Sequence, residues 1–205
     1  MTEQQEELLI DSNEYLKSGI HIGTKFKSKY MANFIYKTRP DGLSVLNLKE
    51  IDKRLQLAAN LLARYEPQDI LVVSRRENGW KGLKKLHQLT GIQVITRRYP
   101  PGILTNTALE TFWEPKIIFV CDPWTDKNAL NDAKKIKVPV MSICDTNNYT
   151  FNVDKIVPGN NKSAKSLGFI FYLLAKIYVE KRKLKTEIPP VSEWVENWDS
   201  LVPPK

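Results

Sequence analysis

Four apolar runs stand out along the chain at similar intervals: Ile70 to Ser74, Ile92 to Thr96, Lys116 to Cys121 and Val138 to Cys144. They are rich in Val and Ile with little polar alternation, the pattern of strands covered by helices on both faces. A parallel sheet follows. Between the runs the period changes. Ile51, Leu55, Ala58, Leu62 and Tyr65 repeat at helical spacing ahead of Pro67, and Trp80, Leu83, Leu86 and Leu89 do so up to Gly91, a residue suited to a helix C-terminus. Asn128 to Ile136 is a shorter helical candidate. One helix is expected before each strand, joined by right-handed βαβ crossovers.

After the last run, Ser163 to Lys185 is apolar on most sides and is expected to be the central packed helix, with cations gathered where its dipole is negative. Near the amino end, Asn33 to Thr38 and Leu43 to Leu46 flank Arg39, Pro40, Asp41 and Gly42, a turn signal that predicts a short hairpin. With 205 residues, the expectation is one α/β domain over 1–186, with a basic helix and hairpin extension over 1–45 and an acidic tail over 187–205.

Composition adds direction. The chain has 42% hydrophobic and 26% charged residues, which excludes disorder throughout, and its net charge of +8 favours anionic partners, nucleic acid first. The two cysteines, Cys121 and Cys144, each close an apolar run, as small buried residues do in a reduced compartment. No stretch approaches the roughly 20 apolar residues of a membrane span. Glu3, Glu6 and Glu7 stand where a signal peptide needs a basic start. A cytoplasmic location without membrane contact is the expectation.

Candidate chemistry lies at the carboxyl ends of the predicted strands, where open α/β sheets bind ligands. Those ends carry Arg75 and Arg76, then Arg97 and Arg98, then Asp122, then Asp145. Asp122, Asp126 and Asp145 could form a Mg²⁺ site for a phosphohydrolase. No glycine-rich phosphate cradle follows any strand, and the stronger reading is that the acids neutralise the arginines while Asp122 and Asp145 cap turns. His21 and His87 lie far in sequence from either cysteine, and no GxSxG elbow presents a serine, so both read as packed or surface histidines.

The basic residues cluster more tellingly. From Tyr15 to Pro40 there is no acid, while Lys17, Lys25, Lys27, Lys29, Lys37 and Arg39 are interleaved with Phe26, Tyr30, Phe34 and Tyr36. Such a surface suits RNA: cations neutralise phosphates and aromatics stack on bases or sugars. The alternative is a solvated face over core aromatics. A second group comprises Arg75, Arg76, Lys81, Lys84, Lys85, Arg97 and Arg98. The tail is opposite in character, with Glu187, Glu193, Glu196 and Asp199 around Trp194 and Trp198. It fits either a groove on a basic neighbour or this chain's own surface.

Four motifs then carry a family resemblance from about Glu14 to Arg182. They are Gly19-Ile20-His21-Ile22-Gly23-Thr24 with Met31, Phe34, Ile35 and Tyr36; Pro101-Gly102-Ile103-Leu104-Thr105-Asn106; Asp122-Pro123 with Asp126 and Ala129; and Val138-Pro139-Val140 to Cys144-Asp145-Thr146-Asn147, continuing through Pro158-Gly159-Asn160-Asn161-Lys162. In their order and spacing the chain resembles the family of the universal second protein of the small ribosomal subunit, whose eukaryotic counterpart is ribosomal protein SA, related to the laminin-receptor precursor. Thr24, and the lack of room between Ile51 and Pro67 for the helical hairpin of bacterial members, resemble the archaeal type. Where the family continues Asn160, Asn161 and Lys162 with Gly-Arg, this chain has Ser163 and Ala164, so that arginine's phosphate contact is not carried over and Lys162 with Lys165 stands in its place.

The resemblance implies a flavodoxin-like α/β scaffold without catalytic activity, cofactor, metal or small-molecule substrate. It would bind small-subunit rRNA and neighbouring ribosomal proteins near the junction of head and body and support subunit assembly. Pro101, Gly102, Thr105 and Asn106 would shape a loop and cap a following helix. The candidate RNA contacts are Lys25, Lys27, Lys29, Lys37 and Arg39 on the extension. Arg75, Arg76, Arg97 and Arg98 at strand ends, and Lys162 and Lys165 before the last helix, complete the set. Trp194 and Trp198 are the candidate protein-docking residues.

Overall fold

The computed structural model describes residues 9–195 and Trp198. Alternation within the strands explains the layering. In β3 (Ile70–Ser74), Ile70 and Val72 enter one hydrophobic cluster while Leu71 and Val73 enter another. The sheet is therefore buried on both faces, and its strands read as unbroken apolar runs. β4 (Gln93–Thr96), β5 (Ile117–Val120), β6 (Val140–Cys144) and β7 (Lys155–Pro158) complete it in the order β4-β3-β5-β6-β7, all parallel. This is the flavodoxin-like order, with its switch point between β3 and β5.

One face is covered by α2 (Leu48–Leu62), α3 (Trp80–Thr90) and α5 (Ala164–Arg182). α5 buries residues on nearly every side, from Ser166 to Val179, as its sequence predicts. The other face is covered by α4 (Lys127–Ile136), through Ala129, Leu130 and Ala133. Gly91 ends α3 at φ 74°, a left-handed conformation that glycine adopts without a Cβ penalty.

At the amino end, Asp11 caps α1 (Ser12–Ser18), accepting from the Asn13 N–H. β1 (Ile35–Thr38) and β2 (Ser44–Leu46) form the expected antiparallel hairpin, preceded by a 3-10 turn over Lys29–Phe34. The chain closes with the short α6 (Val191–Trp194).

Two expectations need correction. No helix lies between β4 and β5 among the described residues: 99–116 run in turns, as Pro100, Pro101, Gly102 and Pro115 dictate. Asn106 accordingly caps no helix; its side chain accepts from the Ala108 N–H at 3.1 Å in a local turn. Ile103 and Leu104 of that segment fill the helix's place on the α4 face. The structure also adds a fifth strand, β7, pairing only with β6 at the sheet edge.

The tail folds back on the chain itself. Trp194 is 1% exposed, its indole N–H donates to the Pro189 carbonyl, and its ring meets Tyr172 edge-on. Trp198 stacks on Phe169, and Lys17 Nζ stands 5.2 Å from the Trp198 ring centroid. Glu193 forms an ion pair with Lys85 of α3. Gly168 permits this approach: a Cβ there would meet Val195 Cγ2 at 2.6 Å and the Trp194 carbonyl oxygen at 2.8 Å. Of the alternatives for the tail, its own surface is thus the one that Trp194 occupies, and that ring is not free to anchor another protein. Glu196 and Asp199 lie outside the described residues.

Candidate nucleic-acid interface

The carboxyl edge of the parallel sheet holds two layers of charge. The inner layer is a network of buried carboxylates and amides joined by two half-buried cations. Asp122, after β5, is fully buried; its Oδ2 accepts from Arg76 Nε at 2.7 Å and from Nη2, while its Oδ1 accepts from the Trp124 N–H at 2.9 Å and Asn148 Nδ2 at 3.1 Å. Asn148 Oδ1 in turn accepts from the Asp145 N–H and from Asn161 Nδ2. Asp145, after β6, pairs with Lys162 Nζ at 3.2 Å and accepts from its neighbour Thr146. The ends of β3, β5, β6 and β7 are thereby tied together.

This network occupies the place where the fold would take a nucleotide. The Arg76–Asp122 pair bridges the switch point between β3 and β5. Beside it, Asp126 accepts from the Arg75 backbone N–H at 3.1 Å, so a donor at this strand end that could face a phosphate already faces a carboxylate. Burial, reinforced by the Asp122 charge, pushes Asp126 up to about 7. Burial also raises Asp145, against the pull of Lys162. These acids neutralise cations and fix turns, as one of the two sequence readings has it. The Mg²⁺-phosphohydrolase reading of Asp122, Asp126 and Asp145 does not fit them: the Asp122 carboxylate is filled by donors, and among the described residues no group of His, Cys, Asp and Glu is placed to hold a metal. Cys121 and Cys144 are buried free thiols, with Cys144 pushed up to about 12 by burial and Cys121 raised for the same cause. Neither histidine neighbours them in a site: His87 Nδ1 meets the Ile92 carbonyl, and burial lowers the half-buried His21.

The outer layer is cationic. Gly23 to Ser28 crosses the β6 end of the edge, where the Thr24 N–H donates to Thr146 Oγ1 at 2.9 Å, the Ser28 N–H to the Thr146 carbonyl at 2.8 Å, and Ser28 Oγ to the Asn148 carbonyl at 2.7 Å. Thr146 Oγ1 donates to the Phe26 carbonyl at 3.1 Å. Gly23 makes the approach possible, since a Cβ would stand 2.4 Å from Thr146 Cγ2 and 3.0 Å from the Ser44 carbonyl oxygen. Lys25, Lys27 and Lys29 are carried there exposed. The same segment pairs with β2 through the Gly23 and Ser44 N–H groups, which joins the hairpin to the edge. On the hairpin, exposed Lys37 lies over the Tyr36 ring and Arg39 stands 3.9 Å from Asp41.

At the other end of the edge, Arg75, Arg97 and Arg98 are exposed. Arg97 adopts φ 75°, held by its N–H donating to the Ser74 carbonyl, and its guanidinium lies over Trp80. Lys25, Lys27 and Lys29 at one end and Arg75, Arg97 and Arg98 at the other, distant in sequence, therefore lie on one sheet edge. Within the candidate set, Arg76 and Lys162 belong to the inner layer through their aspartates, and Lys165 sits half-buried in the first turn of α5. Lys85 of the second basic group is directed to the tail instead. The sequence reading missed Ser28, Thr146, Asn148 and Asn161 as the residues that dock the basic segment and brace the loops. Only the run of small polar residues after β6 signals them.

A parallel α/β sheet whose crevice is closed by its own ion pairs, with exposed cations on the loops outside, defines a binding scaffold rather than a nucleotide enzyme. Comparison with known proteins makes the assignment specific. The family model described as ribosomal protein S2 matches residues 15–111 and 109–180, and the chain belongs to that family. Among its relatives is the small ribosomal subunit protein uS2 of Ignicoccus hospitalis, 46% identical over 92% of each chain. Those of Methanococcus maripaludis and Thermoplasma acidophilum are 46% and 42% identical, covering 91% and 96% of this chain and 85% and 99% of their own. These relatives are named as ribosomal proteins, not enzymes, and they are archaeal, in keeping with the archaeal type read from Thr24 and the short connection before Pro67.

Proposed function

We propose that this protein is a structural constituent of the small ribosomal subunit that binds small-subunit rRNA through the outer cationic layer of its carboxyl edge. It works in the cytoplasm, within the ribosome, near the junction of head and body, where it contacts neighbouring subunit proteins and supports assembly. The observation that carries the reading is the docking of Gly23–Ser28 onto Thr146 and Asn148, which holds the lysines of the extension on the same carboxyl edge that bears the arginines of the strand ends. Membership of the ribosomal protein S2 family supports rRNA as the polyanion. Lysine and arginine side chains that neutralise phosphates release counterions, so replacing one such cation by a neutral residue lowers the salt dependence of binding by about one unit.

The inner ion pairs brace the loops, so binding orders the side chains of the cations and little of the backbone that carries them. Gradient sedimentation of the tagged chain in cell extract at low and high salt, with crosslink mapping of bound RNA, tests the proposal. The double variant Arg97→Glu/Arg98→Glu is expected to weaken association with the small subunit. Undiminished co-sedimentation of that folded variant, or a wild-type chain that never enters subunits, would overturn it.

A further inference from the structure

The carboxyl edge has an outlying feature that phosphate binding does not use. Trp124, after β5, and Tyr149 and Phe151, after β6, are 64%, 65% and 67% exposed, and together they line a cleft of about 450 Å³. Leaving three large rings open to water on one cleft forgoes burial worth about 1.5–3 kcal/mol for a side chain of this size, and such exposed patches mark contact sites. The polar lining is selective. It consists of Lys127 from α4 with the amides of Asn131 and Asn152, and no carboxylate. Lys134 adds a second ammonium, 5.2 Å from the Phe151 ring centroid. Tyr149 also meets Tyr30 edge-on at 6.3 Å, which connects the cleft to the basic segment bearing Lys27 and Lys29.

We infer that this cleft takes an unpaired RNA base, stacked on one of its rings, with its phosphate toward Lys127 and Lys134. The inference rests on the RNA-binding reading above and extends it from phosphate contact to base contact. Aromatic platforms beside amides and ammonium groups suit a nucleotide: rings accept any base face, and amides both donate to and accept from base edges. A wholly apolar peptide would leave Lys127 and both amides unmatched. The volume lies in the range of pockets that hold one small planar ligand. Base-edge reading by Asn131 and Asn152 would make the cleft more selective than the phosphate contacts around it.

The test uses the full chain with two probes, a short labelled oligouridylate and a blunt RNA duplex of equal phosphate count, titrated by fluorescence anisotropy at several salt concentrations. Trp124→Ala and Phe151→Ala alter exposed rings, and matching thermal midpoints verify that both variants fold. At least one of them is expected to weaken oligouridylate about 5- to 150-fold, the worth of one stacked base, with the salt slope and duplex affinity unchanged. Arg97→Glu/Arg98→Glu is expected to weaken both probes and flatten the slope. Oligouridylate affinity that survives both ring substitutions but falls in the arginine variant overturns this inference alone. A wild-type chain that binds neither probe overturns the RNA-binding reading together with it.

Discussion

Gly23 is the position at which sequence, docking and binding can be separated by one atom. In Gly23→Ala the new Cβ falls 2.4 Å from Thr146 Cγ2, 2.9 Å from Thr146 Oγ1 and 3.0 Å from the Ser44 carbonyl oxygen. The two contacts with Thr146 cannot persist, and Thr146 is itself buried, so relief comes from the 23–28 segment lifting. Overpacking of this kind costs about 1–3 kcal/mol. The latch it opposes consists of five hydrogen bonds between the segment and residues 146–148, each worth about 0.5–1.5 kcal/mol net. The two quantities are comparable, so the latch loosens while the sheet behind it stays folded.

Hydrogen exchange reads this directly. Amide protons of Thr24 and Ser28, bonded to Thr146, are expected to exchange about 5- to 150-fold faster in Gly23→Ala, while those of β3 and β5 keep their protection. Affinity for rRNA should fall, because Lys25, Lys27 and Lys29 then incur an ordering cost on binding. Thr146→Ser removes the closest contact, that with Cγ2, and leaves those with Oγ1 and the Ser44 carbonyl, so the double variant Gly23→Ala/Thr146→Ser is expected to regain part of both, a coupling that a double-mutant cycle measures. Unchanged exchange at Thr24 and Ser28 in Gly23→Ala would refute the latch.

Two further substitutions address stability. Asp126 is raised to about 7 in the folded chain, against about 3.9 for a free carboxyl, so between those pH values the folded state holds a proton that the unfolded state has given up and stability falls as pH rises. Asp126→Asn keeps an acceptor for the Arg75 N–H and is expected to flatten that fall in urea midpoints from about pH 4 to 8; parallel profiles would show that Asp126 does not titrate there. Trp194→Ala empties a fully enclosed indole site at a cost of about 3–5 kcal/mol, a drop of roughly 10 °C in Tm, with RNA affinity retained below the transition. A Tm equal to wild type would mean that the tail does not depend on its seat against Tyr172 and α5.

The parallel sheet was legible in the sequence because burial on both faces leaves an unbroken Val and Ile pattern that no surface strand shows. β7 was not, because it is a four-residue edge strand that begins with exposed Lys155 and ends in Pro158, and its fit is decided by pairing with β6. The missing helix before β5 was legible in Pro100, Pro101 and Pro115, had their cost in a helix interior been weighed above the regular βαβ rhythm. Within the site, the residue types were legible and their sorting was not. Arg75 and Arg76 are adjacent, yet one side chain faces solvent and the other Asp122, a choice fixed by the direction in which the chain leaves β3. The meeting of Gly23 with Thr146 spans more than half the chain, and no local pattern encodes it.

That sorting of cations is the physical core of the site. A carboxyl edge carrying only arginines and lysines would repel itself and keep its loops mobile; one in which every cation met an acid would have nothing left for a polyanion. Here Arg76 and Lys162 turn to Asp122 and Asp145, whose remaining acceptors are taken by Asn148, the Trp124 N–H and Thr146, so the buried charge is both paired and hydrogen-bonded. Arg75, Arg97, Arg98 and the lysines of the docked segment are then left at the surface on loops that the inner pairs hold still. The same pairs close the crevice that nucleotide enzymes of this topology keep open. Rigid presentation of charge and absence of a nucleotide crevice are thus one structural decision, and the aspartates that resemble a catalytic cluster in the sequence are the means by which it is made.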